Sequence, residues 1–431
     1  MVNKYGAITT VQRSYLTISD EFKPLVYNYE LVNGFEAQLA FLNQFTFTAI
    51  DGGYSIKVAD GVELQGEVVI PPIYNNQDVV KIDSNAFVDQ RKITTVVIPT
   101  TVIQIGSGVF AGCNRLESIT LPFLGANISS NGTFSYLFGS AAIPQSLKKV
   151  TVTVQDRVVD SAFANCNYIE QIFYEKEIEY IGANSFNGCE ALRSFNSSEE
   201  GTINLSGAMD KIGNSAFKNC EAIIHIIFSD EIMIIDNYAF SGCKNIEEVN
   251  LTNRITTIGD YAFQELKKLK LITVPNNVTV IGMGAFYGCN AVEKITIPFI
   301  GRSKDALGEE QVFGYVFGYY KIAPDFTGGV GTGYDPVAFV NQQIEMPKNG
   351  TIWQYSCYNG QKYFSARLLC SCYYYIPSSI RMVVVTNQTE VKTAAFKGCT
   401  MLEDITFTKG LESQGDYAFQ NCAATIHDGT E

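Results

Sequence analysis

The amino-acid sequence predicts a repeat solenoid, a fold in which one short unit is copied and stacked along the chain. Ten phenylalanines recur through the sequence, and six of the nine gaps between them are 23 residues long. Eight cysteines each follow one of these phenylalanines by three residues. A fixed period of about 20 to 30 residues is typical of solenoids, and so small a unit must share its apolar core with its neighbours. The anchors are Phe87, Phe110, Phe163, Phe186, Phe217, Phe240, Phe263, Phe286, Phe396 and Phe419.

Within each unit, apolar residues keep fixed distances from the anchor. An Ile or Val lies five residues before it in nine copies, and Leu, Ile or Val lies six residues after it in nine. Apolar residues nine and eleven after it, such as Ile119 and Leu121, predict a short strand with one buried face, closed by a proline in four copies. The Ser/Asn-x-Ala-Phe stretch predicts a short helical turn capped by Ser or Asn. The last copy departs from the pattern at Gln414 and Thr425.

The N-terminal part of the chain does not repeat. Residues 1–45 are predicted to be partly helical, because residues 35–45 have apolar residues at helical spacing. Residues 46–80 are predicted to be an N-terminal cap, since a terminal repeat must cover an open core. The cap combines a hairpin signal at Asp51-Gly52-Gly53 with a degenerate repeat. Residues 81–431 are predicted to form the repeat region.

Two gaps in the repeat region, residues 121–150 and 297–385, resemble each other. Each contains an aromatic Phe-x-Tyr-x-Phe-Gly block followed later by Ile-Pro. Three residues separate these two blocks in the first gap and 57 residues, 319–375, separate them in the second. We therefore predict two variant coils of one kind, the second of which carries a long insert.

The repeated pattern Ile-Gly-x-x-Ala-Phe-x-x-Cys-x-x-Leu-x-x-Ile-x-Ile-Pro, exemplified by residues 102–122, resembles the BspA-like branch of the leucine-rich repeats. The match covers residues 80–300 and 391–422. The resemblance implies a curved, right-handed leucine-rich-repeat coil with short parallel strands on its concave side. It also implies a location on the surface of host-associated microbes, with roles in cell adhesion and protein binding.

The charge and hydrophobicity of the chain limit the classes of partner that it can bind. The formal charge of −13 disfavours nucleic acid, because an acidic surface repels phosphates. No apolar stretch approaches the roughly 18 residues of a membrane span, and residues 1–23 contain no apolar core of a signal peptide. The family resemblance nevertheless implies an extracellular or cell-surface location, with a cytoplasmic location as the alternative. A protein is the expected ligand, a glycan is the alternative, and the oligomeric state stays open.

The repeat cysteines are interpreted as reduced thiols packed in one buried column, because free cysteine packs as a small hydrophobe. Gln90 and Leu266 replace cysteine in two copies, which favours a packing position over a ligand. Bridging between neighbours and metal binding are the alternatives. No Cys-x-x-Cys pair or nearby histidine favours a metal. The off-pattern residues Cys357, Cys370 and Cys372 either hold one disulfide with one thiol left over or are unbridged.

The insert is the candidate binding segment. Thirteen of its 57 residues are aromatic, including the single tryptophan of the chain. Long loops on rigid scaffolds often carry function, and Trp and Tyr often dominate interface energies. The alternative is that these aromatic residues form the core of a small subdomain. The candidate ligand-binding residues are Trp353, Tyr355, Tyr358, Tyr363, Tyr373 and Tyr374.

The sequence contains no recognisable catalytic constellation. Of the two histidines, His225 is expected at a solvated strand position and His427 in a frayed tail. The glycine-rich segment 328–333 lacks the Lys-Ser/Thr end of a phosphate loop. We therefore predict a non-catalytic binding protein without cofactor or metal, either a surface adhesin or a protein–protein interaction module. The alternatives are a glycan-binding surface protein that uses the insert aromatics and an intracellular scaffold.

Overall fold

The computed structural model describes residues 40–130, 132–322, 351–357 and 371–429. The chain comprises two compact units, Met1–Glu200 and Gly201–Glu431. Both are built as solenoids of parallel strands with very little helix, as the 23-residue period predicts.

The first unit contains a parallel sheet to which each coil contributes one strand. The register places Ile119 directly opposite Val150, so equivalent core residues of neighbouring coils line up. Ile119 and Leu121 are buried while Ser118 and Thr120 are partly exposed, which is the alternation that a half-buried strand requires. In order of pairing, the strands are Gln65–Val69, Lys92–Val97, Ser118–Leu121, Lys149–Val152, Gln171–Tyr174 and Ser194–Phe195.

Other strands, which contain the apolar residue five before an anchor and mostly span two residues, pair in parallel on another side of this unit. They are Gln77–Ile82 with Gln104–Ile105, and Arg157–Val158 with Tyr180–Ile181. The hairpin expected at Asp51-Gly52 is present: Phe45–Ile50 and Gly53–Val58 pair antiparallel, and Gly53–Val58 then pairs with Gln77–Ile82. The two-residue strand Ile73–Tyr74 folds back antiparallel on the same strand. Of the predicted helix at 35–45, residues 40–42 are helical, and residues 35–39 lie outside the described part.

The second unit repeats this arrangement. Its longer strands pair in two groups, Thr202–Leu205 with His225–Phe228, and Leu271–Thr273, Lys294–Ile297, Met382–Val385, Asp404–Phe407 and Thr425–His427 in that order. Its two-residue strands are Lys211–Ile212, Ile234–Ile235, Thr257–Ile258 and Val280–Ile281, followed by the pair Glu390–Val391 and Ser413–Gln414.

The anchor phenylalanines form the centre of the core. Nine of the ten are at most 1% exposed, and Phe419 in the last coil is half-buried. Within the second unit, the ring of Phe240 stacks on Phe217 and Phe263 at centroid distances of 5.4 and 5.6 Å, with interplanar angles of 2° and 5°. The same packing joins Phe163 to Phe186 in the first unit, at 5.6 Å and 6°. The 23-residue period therefore corresponds to one ring per coil.

The segment around each anchor is a series of turns rather than the expected helical turn. The residues two before and two after the anchor have positive φ in all ten copies, for example +58° at Tyr238 and +79° at Gly242 around Phe240. The amides of these three residues donate to carbonyls of the following coil at 2.8 to 2.9 Å. A helix would use those amides within one coil. Here the alternating backbone directs them from coil to coil, which is why no helix forms.

The repeat cysteines have a role that their spacing did not reveal. The thiol of Cys243 donates a hydrogen bond to the carbonyl of Phe217 in the preceding coil at 3.0 Å. Cys113, Cys189 and Cys289 make the equivalent bond at 3.1 Å. Seven of the eight repeat cysteines are buried and unbridged, and Cys422 is half-buried and unbridged.

Gln90 replaces cysteine in the first regular copy and also bonds backward along the solenoid. Its side chain accepts a hydrogen bond from the amide of Leu64 at 2.7 Å and donates to the carbonyl of Val62 at 3.2 Å. In these five coils the column side chain therefore packs between coils and also satisfies a backbone group of the coil before.

The two variant coils share several local contacts. Each replaces the usual turns by a five-residue 3₁₀ helix, Phe134–Phe138 and Phe313–Phe317, and the second has another at Gly308–Gln311. In both coils, the side-chain oxygen of a buried glutamine accepts a hydrogen bond from a backbone amide. Gln155 accepts from Leu124 at 3.0 Å, and Gln388 accepts from Ile300 at 2.8 Å. The hydroxyls of Ser146 and Ser379 each donate to two carbonyls of the coil before. Matching sequence blocks therefore correspond to matching structure.

Candidate functional site

The backbone of the insert contributes a three-stranded antiparallel sheet to the second unit. Strand Ser371–Pro377 lies in the middle, between Tyr319–Ile322 and Thr351–Cys357. The register places Trp353 opposite Tyr375 and Tyr355 opposite Tyr373. Directly opposed residues of an antiparallel pair belong to one face of the sheet. Four aromatic positions therefore share a face.

The six candidate residues have different locations. Trp353 and Tyr355 lie in strand Thr351–Cys357, and Tyr373 lies in strand Ser371–Pro377. Tyr358 and Tyr363 lie outside the described residues, as do Cys370 and the glycine-rich segment 328–333.

The prediction that Tyr374 contacts a ligand is wrong. Its side chain is 0% exposed and packs inside the second unit, next to the segment that contains the 3₁₀ helix Phe313–Phe317. A fully buried ring cannot meet a ligand without rearrangement. Aromatic composition alone could not distinguish this residue, which closes the variant coil, from its neighbours in sequence.

The outward face of the longer strands presents large apolar side chains to solvent. In the second unit, Leu271 is 59% exposed, Ile227 47% and Met382 39%. In register, Leu271 is followed across the sheet by Lys294, Met382 and Asp404, so apolar and charged residues alternate along one row. In the first unit, Phe173 is 45% exposed at an equivalent strand position.

A row of four tyrosines lies on the turn side of the second unit. Tyr238 and Tyr261 occupy successive coils two residues before the anchor, and their rings stack at 5.2 Å and 12°. Tyr261 meets Tyr287 edge-on at 6.1 Å, and Tyr287 meets Tyr375 edge-on at 5.2 Å. All four side chains are half-buried. We call Tyr238, Tyr261, Tyr287 and Tyr375 the tyrosine row. The repeat pattern does not reveal this row, because its members hold three different positions relative to their anchors.

Charged and titratable groups in the described parts form no catalytic arrangement. His225 is exposed, as expected. His427 is not in a frayed tail: it ends strand Thr425–His427, and its Nε2 lies 3.0 Å from Oδ1 of Asp404. No group of three or more metal-ligating side chains occurs among the described residues. Ion pairs between coils, such as Lys244 with Glu221 at 2.5 Å, lie on the surface.

Burial holds the buried repeat thiols in their protonated form in the folded state. Burial raises the pKa from 9.0 to about 12 for Cys113, Cys166, Cys243 and Cys289. A thiol must ionise before it acts as a nucleophile or binds a metal. The column therefore contributes packing and hydrogen bonds at neutral pH.

Within the described segments, no helix is long and apolar enough to cross a membrane.

The similarity of the chain to known proteins lies in its repeats. A family model described as BspA type leucine rich repeat region matches six copies, over residues 80–200, 193–303 and 368–428, which is more than half of the chain. No protein of curated function matches the sequence.

Several solved structures are similar to the chain. A leucine-rich repeat protein from Bacteroides ovatus shares 21% identity, with 89% of this chain and 80% of that chain covered and a TM-score of 0.45. A leucine rich cell surface protein from Faecalibacterium prausnitzii shares 18% identity, with 89% and 74% covered and a TM-score of 0.29. The pneumococcal vaccine antigen PcpA shares 17% identity, with 58% and 79% covered and a TM-score of 0.27.

Proposed function

Because the chain belongs to the BspA-type leucine-rich repeat proteins, we propose that it is a non-catalytic module that binds another protein. The observation that carries this proposal is the outward strand face of the second unit, where Leu271, Ile227 and Met382 are exposed. A strand with one buried face normally turns polar residues outward. Covering these side chains with a partner removes apolar surface from water, worth up to about 1.5 to 3 kcal/mol for a fully buried Leu, Ile or Met.

Charge pattern on the same face favours a protein over a glycan. Lys294 and Asp404 alternate with Leu271 and Met382 along one row of the sheet. Alternating apolar anchors and opposite charges complement the mixed surface of another protein, in which charge sets orientation and apolar contacts supply affinity.

We propose that the insert adds a second contact to the same partner. Trp353, Tyr355 and Tyr373 belong to one face of the insert sheet by register, and these residue types often dominate interface energies. Tyr358 and Tyr363 stay candidates by their sequence position, and Tyr374 is withdrawn because it is buried. We also propose display on a cell surface, for which the family membership is the support. Protease accessibility on intact cells tests that location.

Two variants separate the two contacts. Ile322 lies directly opposite Ser371 in the antiparallel pair, so replacing residues 323–370 with Asn-Gly closes a two-residue hairpin. This excision removes strand Thr351–Cys357 but keeps the buried Tyr374. The second variant, Leu271→Glu with Met382→Glu, alters the strand face. Leu307→Glu is the matched control, because Leu307 is 71% exposed and precedes the 3₁₀ helix Gly308–Gln311 rather than lying in a strand.

The assay is binding of the full chain to an array of purified secreted and cell-surface proteins, with a glycan array in parallel. We expect the strand-face variant to weaken protein binding about tenfold or more, and the excision to weaken it further, while Leu307→Glu has no effect. Unchanged binding by both variants, or binding confined to the glycan array, contradicts the proposal.

A further inference from the structure

We propose that the strand face of the first unit holds a binding site for an uncharged glycan, built around Phe173. The strands Ser118–Leu121, Lys149–Val152 and Gln171–Tyr174 each turn two residues outward there. The register places these residues in two rows, Ser118–Lys149–Gln171 and Thr120–Thr151–Phe173. We call these six residues the Phe173 patch. The site goes beyond the proposed function, since it lies on a different unit and takes a different class of ligand.

The aromatic ring of the patch is exposed and has no partner. Phe173 is 45% exposed, and the two preceding coils have Thr120 and Thr151 at its position. The core therefore does not require an aromatic residue here. In the parts of the chain that the structure describes, neither another ring nor a cation lies against the ring of Phe173. Much of the ring surface is therefore available to a ligand.

The hydroxyl and amide side chains of the patch have unused hydrogen-bonding capacity. None of them forms a side-chain hydrogen bond with the described residues. They are Ser118, Thr120, Thr151 and Gln171. In the next coil, by contrast, the hydroxyl of Ser194 donates to the carbonyl of Ser197. Hydroxyl and amide groups both donate and accept, so the patch suits a ligand that carries many hydroxyl groups.

The charge of the patch separates it from the strand face of the second unit. It contains no carboxylate, and its single charge is that of Lys149, which is exposed and forms no ion pair with the described residues. The adjacent Lys148 lies 3.3 Å from Glu170. The second unit instead combines apolar side chains with Lys294 and Asp404. A patch with one charge offers a protein little electrostatic complementarity, whereas sugar hydroxyls are uncharged.

The sheet is interrupted directly beside Phe173. Strand Ser194–Phe195 pairs with Gln171 and Ile172 and stops one position before Phe173. Asn196 then turns away with a φ of +46°, and its side-chain oxygen accepts a hydrogen bond from the amide of Tyr174 at 2.7 Å. No strand side chain therefore borders Phe173 on this side, which agrees with its exposure.

A sugar residue carries both kinds of group that the patch recognises. The C–H groups on one side of a sugar ring are weakly positive and meet the negative face of an aromatic ring. Hydroxyl groups project from the rim of the sugar towards Thr151, opposite Phe173, and Gln171, two residues before it. Lys149, opposite Gln171, adds a third hydrogen-bond donor. In this arrangement Phe173 carries one sugar residue, and the polar side chains set its orientation.

The probe is an array of uncharged oligosaccharides of glucose, galactose, mannose and N-acetylglucosamine, with sulfated and sialylated oligosaccharides alongside. We expect the full chain to bind a subset of the uncharged sugars. This binding should change little when sodium chloride rises from about 0.1 M to about 1 M, because no ion pair is involved. Binding to the acidic sugars alone, or to no oligosaccharide, would overturn the inference.

Three substitutions of Phe173 test the stacking contact. Phe173→Thr introduces the residue of the two preceding coils and should weaken sugar binding about tenfold or more. Phe173→Leu should weaken it as much, because leucine keeps apolar surface but has no aromatic face. Phe173→Trp should keep the binding. Thermal unfolding establishes that each variant is folded. Full binding by the leucine variant would contradict stacking on the ring.

Ile227→Thr is the matched control, because Ile227 has the equivalent strand position in the second unit and is 47% exposed. It should leave sugar binding unchanged, and an equal loss in Phe173→Thr and Ile227→Thr would refute a site at Phe173. Leu271→Glu with Met382→Glu should weaken protein binding but not sugar binding, and Phe173→Thr should do the reverse. The proposed function and the glycan site can therefore each fail without the other.

Discussion

Replacing Phe240 with alanine measures how much of the fold depends on the ring stack. The side chain is 0% exposed, stacks on Phe217 and Phe263, and meets Phe228 edge-on at 5.8 Å. Phe→Ala in a core costs about 3 to 5 kcal/mol through lost transfer energy and the cavity left behind. With aromatic neighbours on both faces and one edge, which add about 0.5 to 1.5 kcal/mol per pair, we expect about 5 kcal/mol.

Phe419→Ala is the matched control for that measurement. Phe419 is half-buried and stacks on Phe396 at 5.6 Å, and it is the last anchor of the series. We therefore expect a loss of about 2 kcal/mol, roughly half the cost at a buried anchor. Urea unfolding followed by circular dichroism gives both free energies, and hydrogen exchange shows which coils open. Equal losses in the two variants would refute the reasoning that stacked neighbours determine each anchor's contribution.

Four further predictions concern the repeat thiols, one glycine and the insert. The buried repeat thiols have a raised pKa in the folded state. Their contribution to stability should therefore be constant below pH 9 and fall by up to about 1.4 kcal/mol per pH unit per thiol as pH rises from 9 towards 12. A contribution that rises over that window, measured against a Cys243→Ala variant, contradicts the burial. At neutral pH a thiol reagent should label these residues after denaturation but not before. Gly259→Ala should lower the free energy of unfolding by about 1 to 3 kcal/mol, because the added Cβ would lie 2.5 Å from the amide nitrogen of Asn237. Asp236→Ala, at the same position one coil earlier, is the control and should lower it less. Thermal unfolding compares the two variants. The Asn-Gly excision of residues 323–370 should stay folded, since loop length changes stability by about 0.6 kcal/mol per doubling, and aggregation of the purified variant would show that the excised segment is part of the core.

The core of this fold could be predicted from the sequence because each 23-residue period is one coil, and equivalent positions of each coil face the same interior. Residues five before the anchor, at it and six, nine and eleven after it, such as Ile258, Phe263 and Ile272, are buried because each coil places them on the shared interior. Prolines and the Asp-Gly pair at residues 51–52 indicated strand ends, because proline has no backbone N–H to donate and glycine adopts turn conformations readily. Each of these signals can be read within the sequence of a single coil.

Contacts between coils could not be predicted in the same way. The positive-φ positions are occupied by Gly, Asn, Ser, Tyr, Ala, Asp and Glu, so no residue type marks them. Tyr287 and Tyr375 join the tyrosine row only because the second variant coil brings different positions into one column. Tyr374 and Tyr375 are adjacent in sequence, yet one is buried and the other half-buried, which composition cannot distinguish.

The second variant coil leaves and rejoins the solenoid at one hydrogen bond, in which the amide of Tyr375 donates to the carbonyl of Gly318 at 2.9 Å. In the first variant coil the same passage takes three residues. The surrounding 3₁₀ helix, buried glutamine and serine contacts are alike in both. We therefore expect this junction to accept foreign sequence while the coils on either side keep their shape. The first variant coil, between Gly139 and Ile143, is accordingly a second grafting point for an engineered binding loop.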